Sequence, residues 1–170
     1  MKNELPKRKP TRLKQYDYSQ NGYYFITICT KNKENILSSI VGDGVTDAEI
    51  KLSALGEIVS RELQNISSYY GNIKIEKYVI MPNHIHLIIQ ITERINPFPT
   101  KAFDISNVVG KFKAGVTRKV GNAFMHSDKT IWQRSFHDHI IRDEKDYLKI
   151  WNYIDTNPQR WQDDCFYNEP

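Results

Sequence analysis

The chain has 170 residues, a formal net charge of +4, 39% hydrophobic and 26% charged side chains. That is the size and make-up of one compact domain, and it excludes a wholly disordered chain. No apolar run approaches the roughly 20 residues of a membrane helix, and the basic start MKNELPKRKP lacks a leader's apolar stretch. Cys29 and Cys165 form neither a CxxC nor a zinc pattern, so a reduced, cytoplasmic setting away from membranes is expected.

Charge is unevenly spread. Lys2, Lys7, Arg8, Lys9, Arg12 and Lys14 face only Glu4 within the first 14 residues, which leaves 18 basic and 19 acidic residues for the rest. A basic arm over residues 1–15 on a near-neutral domain over residues 16–170 fits a phosphate-bearing partner, because cations displace the counterions condensed on nucleic acid. A solvated tail is the plainer alternative. A second cluster, Lys111, Lys113, Arg118 and Lys119, lies in the part expected to fold.

In chain order, Tyr23–Thr30 is β-branched and aromatic and reads as a strand. Residues 38–47, with two glycines and two aspartates, read as a surface loop. Leu55, Ile58, Val59, Leu63 and Ile66 recur at helical spacing over about 53–70, with Ser53 as the cap. Ile73–Met81 and His84–Ile91 flank Pro82-Asn83 and read as a β-hairpin. A loop over 94–101 leads to a helix over about 105–120, with Val108, Val109, Phe112 and Val116 inward. Residues 131–142 read as a strand. A last helix starts in the acids at 143–146, ends near Asn157-Pro158, and buries Tyr147, Ile150, Trp151 and Ile154. The fold class is therefore α+β: a ferredoxin-like βαββαβ core with an antiparallel sheet, followed by a C-terminal helix.

Chemistry concentrates in the second hairpin strand. His84, His86, Ile88 and Gln90 alternate with Ile85, Leu87, Ile89 and Ile91, so the two imidazoles leave one face while the aliphatic set enters the core. Histidines two apart on a strand stand about 7 Å apart and can converge on one divalent metal. Two histidines facing solvent is the alternative. On the last helix Tyr153 and Asn157 are one turn apart on one flank; a boundary aromatic and a C-cap would give the same pattern. A second His-x-His pair, His137 and His139, straddles the charged Asp138. His139 reads as a structural side chain or a DNA contact, with a place near the metal as the other option; Trp132, Gln133 and Arg134 could stack on or hydrogen-bond to unpaired bases, with core packing favoured for Trp132.

Three ordered segments, YVIMPNHIHLIIQ, WQRSFHDHIIRDE and NYIDTNP, together with the opening Tyr16-Asp17-Tyr18-Ser19 and strand 22–30, resemble the single-tyrosine HUH transposases. The REP-associated tyrosine transposases are the most similar subgroup, and the likeness spans about residues 12–161. It implies that His84 and His86 are metal ligands, that Asn157 supplies the third ligand, and that Tyr153 is the nucleophile carried by the C-terminal helix. It also implies magnesium or manganese as cofactor, hairpin-bearing single-stranded DNA as partner, and cleavage through a 5′-phosphotyrosine. A monomer acting with its own tyrosine is the expected state, with a homodimer as the other arrangement. The rivals are a domesticated hairpin-binding protein that no longer cuts, an RNA-binding module of the same fold, and a hydrolase using the histidines alone.

Chemically, a phenol with a pKa of about 10 is a weak nucleophile at neutral pH and is repelled by a phosphodiester. A cation held by neutral ligands keeps its charge and offsets both handicaps. Lys7, Arg8, Lys9, Arg12, Lys14, Lys111, Lys113, Arg118, Lys119, Arg134 and His139 are the candidate DNA contacts.

Overall fold

The computed structural model describes residues 16–42, 47–93, 104–124 and 130–168, so the basic arm lies outside the described residues. Six strands and three helices follow in the order β1 (Gly22–Cys29), β2 (Ser38–Val41), β3 (Glu49–Leu52), α1 (Ala54–Tyr69), β4 (Ile73–Ile80), β5 (His84–Ile91), α2 (Ile105–Phe124), β6 (His137–Ile141) and α3 (Glu144–Thr156). The main sheet runs β4-β5-β1-β6 with every neighbouring pair antiparallel, which is the ferredoxin-like arrangement.

Alternation in β1 and β5 decides what each face packs against. Tyr24, Ile26, Ile28, Ile85, Leu87 and Ile89 are buried beneath α1 and α2, beside Val59, Leu63, Val108, Phe112 and Val116. The opposite face carries Val79, Met81 and Ile88, which pack on Ile150 and Ile154 of α3 and on Trp161 beyond it. The last helix therefore crosses the sheet face that carries the histidines.

Local signals place the elements. Ser53 caps α1: its hydroxyl accepts from the Gly56 amide at 3.0 Å and lies 2.7 Å from the Ile36 carbonyl, to which it donates. Gly56 is required by contact, since a Cβ there would collide with the Leu37 carbonyl oxygen. Asp143 caps α3 by accepting from the Asp146 amide at 2.8 Å. The hairpin closes with Met81 donating to the His84 carbonyl, leaving Pro82-Asn83 as its two-residue tip.

Two expectations change. The stretch expected to be a loop at 38–47 begins with β2, which pairs with β3 in a small separate sheet. Ser38 and Ser39 are weak strand formers, but Ile40 and Ile50 pair across this ribbon and pack on the α3 side of the molecule. The strand expected over 131–142 shortens to β6, preceded by one isolated bridge from Trp132 to Thr30. Between them, Lys113 donates to the carbonyls of Gln133 and Ser135 and holds the chain off the sheet. Among the described residues no helix is long and apolar enough to cross a membrane.

Candidate active site

The site forms where the ends of β1 and β5, the C-terminal half of α3 and the segment after it converge. His84 and His86 leave the same face of β5 with ring centroids 4.4 Å apart. They are not solvent-facing: His84 is 0% and His86 1% exposed. Phe166 lies against His84 at 4.6 Å between centroids, and Trp161 backs it at 5.9 Å.

The scaffold sets the state of each ring. Asn83 spends its amide NH2 on the carbonyls of Phe166, at 2.8 Å, and Lys33, at 3.2 Å. Its oxygen is therefore the acceptor 2.9 Å from His84 Nδ1, which must carry the proton. His84 Nε2 is left with a bare lone pair and is buried without a hydrogen-bond partner. His86 Nδ1 lies 2.8 Å from the Thr27 hydroxyl, and its Nε2 lies 3.2 Å from the Tyr153 hydroxyl. Burial, aided by the Lys33 charge, pushes the His84 pKa down to about 3. Burial and then His84 push His86 well below the usual range, against the opposing pull of Asp164. Both rings are neutral, the form that ligates metals.

Tyr153 and Asn157 meet over these histidines. The Tyr153 ring is 5.1 Å from that of His86 and packs edge-on against Phe25. Burial, then the neighbouring Asp164 carboxylate, raise its pKa above that of a free phenol. Asn157 is 2% exposed and keeps right-handed backbone angles, with Pro158 opening a short 3-10 turn behind it. Its amide is therefore not spent on capping: Nδ2 donates to Asp164 Oδ2 at 2.8 Å, and Oδ1 is buried without a partner.

Asp164 is the side chain that sequence reasoning missed. Its Oδ2 also accepts from the Tyr153 hydroxyl at 3.3 Å, and its Oδ1 accepts from the Phe166 amide at 2.7 Å. Metal-ligating atoms of His84, His86 and Asp164 all lie within 4.8 Å of one another. Two buried acceptors without partners, a second imidazole and a carboxylate make a donor set that suits a divalent cation. No spacing rule announces Asp164, because the backbone folds back through the turn over Pro158–Asp163 to deliver it.

The other candidates lie elsewhere. His137 and His139 sit on the same sheet face, opposite Thr27 and Phe25 on the edge strand, but both are exposed. His139 Nε2 is bonded to Asp146 at 2.7 Å. Trp132 is buried and packs on Phe112, as a core residue should. Arg134 is exposed. On α2, Lys111 lies over the Tyr70 ring, Arg118 is exposed, and Lys119 pairs with the buried Glu62. Lys7, Arg8, Lys9, Arg12 and Lys14 lie outside the described residues.

A ferredoxin-like sheet with a His-hydrophobic-His strand, and a tyrosine helix laid across it, defines a nuclease of the HUH class. The IS200-like transposase family model matches residues 18–157, and the chain belongs to that family, the single-tyrosine HUH transposases that include the REP-associated group. It is accordingly a transposase-type enzyme. A Haemophilus influenzae protein of unassigned function is 39% identical over 94% of this chain and 93% of its own length. The REP-associated tyrosine transposase of Escherichia coli is 26% identical over 83% of this chain and 68% of its own. A solved REP-associated tyrosine transposase bound to a REP hairpin superposes with a TM-score of 0.63 at 21% identity, over 88% of this chain and 74% of that one.

Proposed function

We propose that the protein cleaves and rejoins single-stranded DNA beside hairpins through a 5′-phosphotyrosine on Tyr153. The convergence of Tyr153, His86 and Asp164 beside the unpartnered acceptors of His84 and Asn157 carries this reading. Its hairpin preference rests on the REP-associated relatives and on the hairpin-bound solved structure. The Tyr153 hydroxyl lies 3.2 Å from His86 Nε2 of the same chain, which supports a tyrosine acting in cis.

His84 and His86 would hold magnesium or manganese, with Asn157 as third ligand and Asp164 beside it. When bound, the ion supplies positive charge that polarises the scissile phosphate. The chain's own groups do the rest. The Tyr153 oxygen bonds to phosphorus as the bond from phosphorus to the 3′ oxygen breaks. The phenol proton leaves along its hydrogen bond to Asp164, and the 3′ oxygen departs with the bonding pair and takes a proton from water to become a free 3′-hydroxyl. Phe25 and His86 restrict the Tyr153 ring from two sides, which limits the motion lost on attack. The covalent ester keeps its bond energy, so a second 3′-hydroxyl can be joined without ATP.

The test is incubation with hairpin-bearing single-stranded DNA and manganese, read as a denaturation-resistant protein–DNA band. Wild type should form it. Tyr153→Phe should form none while still binding the hairpin. An adduct persisting in Tyr153→Phe would place the nucleophile elsewhere, and a wild type that binds the hairpin without forming any adduct would mark a binding protein.

A further inference from the structure

Asn157 poses a problem that its own side chain cannot solve. A carboxamide turned over by 180° fills the same space but exchanges its oxygen for an NH2, which has no lone pair for a cation. The buried Asn157 offers its oxygen in one orientation only. Resting on the metal reading above, we infer that Asp164 is a positioning residue: it accepts from Asn157 Nδ2 and so locks Oδ1 as the atom presented to the metal.

The hydrogen bonds around Asp164 support this role. Its two oxygens take the Phe166 amide at 2.7 Å, Asn157 Nδ2 at 2.8 Å and the Tyr153 hydroxyl at 3.3 Å, with the Cys165 thiol as a further donor. A carboxylate accepts at every one of these points and donates at none. Flipping Asn157 would set its oxygen against a carboxylate oxygen, exchanging a charge-assisted bond for a repulsion. The Phe166 amide in turn fixes the carboxylate, so the lock is anchored to backbone. An amide at position 164 would reverse the direction: the Phe166 N–H keeps its oxygen at the Oδ1 point, so its NH2 faces Asn157 and favours that carboxamide turned over. The same carboxylate holds the Tyr153 hydroxyl, so one side chain orients both functional groups of α3.

The experiment is a cycle of manganese affinities, measured on metal-stripped full-length protein by calorimetry and by loss of the free-ion paramagnetic resonance signal. The variants are Asp164→Asn, Asn157→Asp and the double variant. Asp164→Asn is isosteric, and its unfolding midpoint without metal checks that it folds. Asp164→Ala removes the acceptor altogether and should also weaken binding. With Asn157 present, Asp164→Asn should weaken manganese binding about 10- to 100-fold, the range for groups that orient a metal ligand. In the Asn157→Asp background either carboxylate oxygen can ligate and orientation no longer matters, while Asp164→Asn also relieves the repulsion between the two facing carboxylates, so it should leave manganese affinity unchanged or raise it. An equal loss in both backgrounds would make Asp164 a direct ligand and overturn the inference, as would no loss with Asn157 present. If wild type bound manganese no better than His84→Ala, the metal reading would fall and take this inference with it.

Discussion

Manganese should stabilise the folded protein by giving the two orphaned acceptors a partner, and the size of the effect follows from how far the ion exceeds its dissociation constant. His84 Nε2 and Asn157 Oδ1 are buried without partners; each such group costs about 1–3 kcal/mol in the metal-free chain. A ligand that binds only the folded form adds about 2.7 kcal/mol at a hundredfold excess over its dissociation constant. For a chain of this length each kcal/mol moves the midpoint by about 2–4 °C, so saturating manganese should raise it by about 5–10 °C. The assay is a thermal scan of chelator-treated protein with and without the ion. Calcium, which prefers oxygen-rich sites with longer bonds, should shift it less. His86→Ala should abolish the shift. Asn157→Leu removes one orphan, relieving about 1–3 kcal/mol, but forfeits a bond to a carboxylate of about the same worth. Without metal it should stay within about 1 kcal/mol of wild type, yet respond less to manganese. An equal manganese shift in wild type and His86→Ala would refute the assignment. So would a metal-free Asn157→Leu destabilised by more than about 3 kcal/mol, since Asn157 would then be structural.

Two further outcomes test the scaffold. Gly56→Ala forces a methyl onto the Leu37 carbonyl and should cost about 1–3 kcal/mol or more in urea unfolding; an unchanged midpoint would show that α1 shifts freely. Lys113, whose pKa burial lowers to about 8, binds fewer protons folded than unfolded between pH 8 and the ordinary lysine range. Wild type should therefore gain stability relative to Lys113→Met as pH rises through that window, and the opposite slope would refute the buried placement.

Much of this was legible in residue order. The alternation of β5 separates Ile85, Leu87 and Ile89 from His84 and His86 with no ambiguity, and α3 lies where its apolar stripe requires. Ile88 marks the limit. It is on the histidine face yet fully buried, because α3 and Trp161 cover that face, and a two-residue period cannot say whether a polar face is wet. The β2–β3 ribbon escaped because two four-residue strands, one opening on Ser38-Ser39 and the other on Glu49, carry too little pattern to outweigh the glycines and aspartates between them. Asp164 escaped for a different reason. Its meaning comes from folding back onto Asn157, and a second carboxylate next to Asp163 looks like ordinary surface charge until that contact is seen.

Asn83 sits at the tip of a tight turn, where its type would be put down to backbone geometry. Its contacts make it a junction instead, joining the stretch at Lys33, the ring of His84 and the backbone at Phe166. The imidazole is thereby held in its ligating tautomer before any ion arrives. An incoming cation need expel no proton from His84 and turn no ring, so the cost of loading is chiefly that of shedding its own water. On the proposed metal reading, loading would leave the tautomer and ring of His84 as they are and would disturb only the contact between His86 Nε2 and the Tyr153 hydroxyl, which frees the nucleophile as the ion arrives.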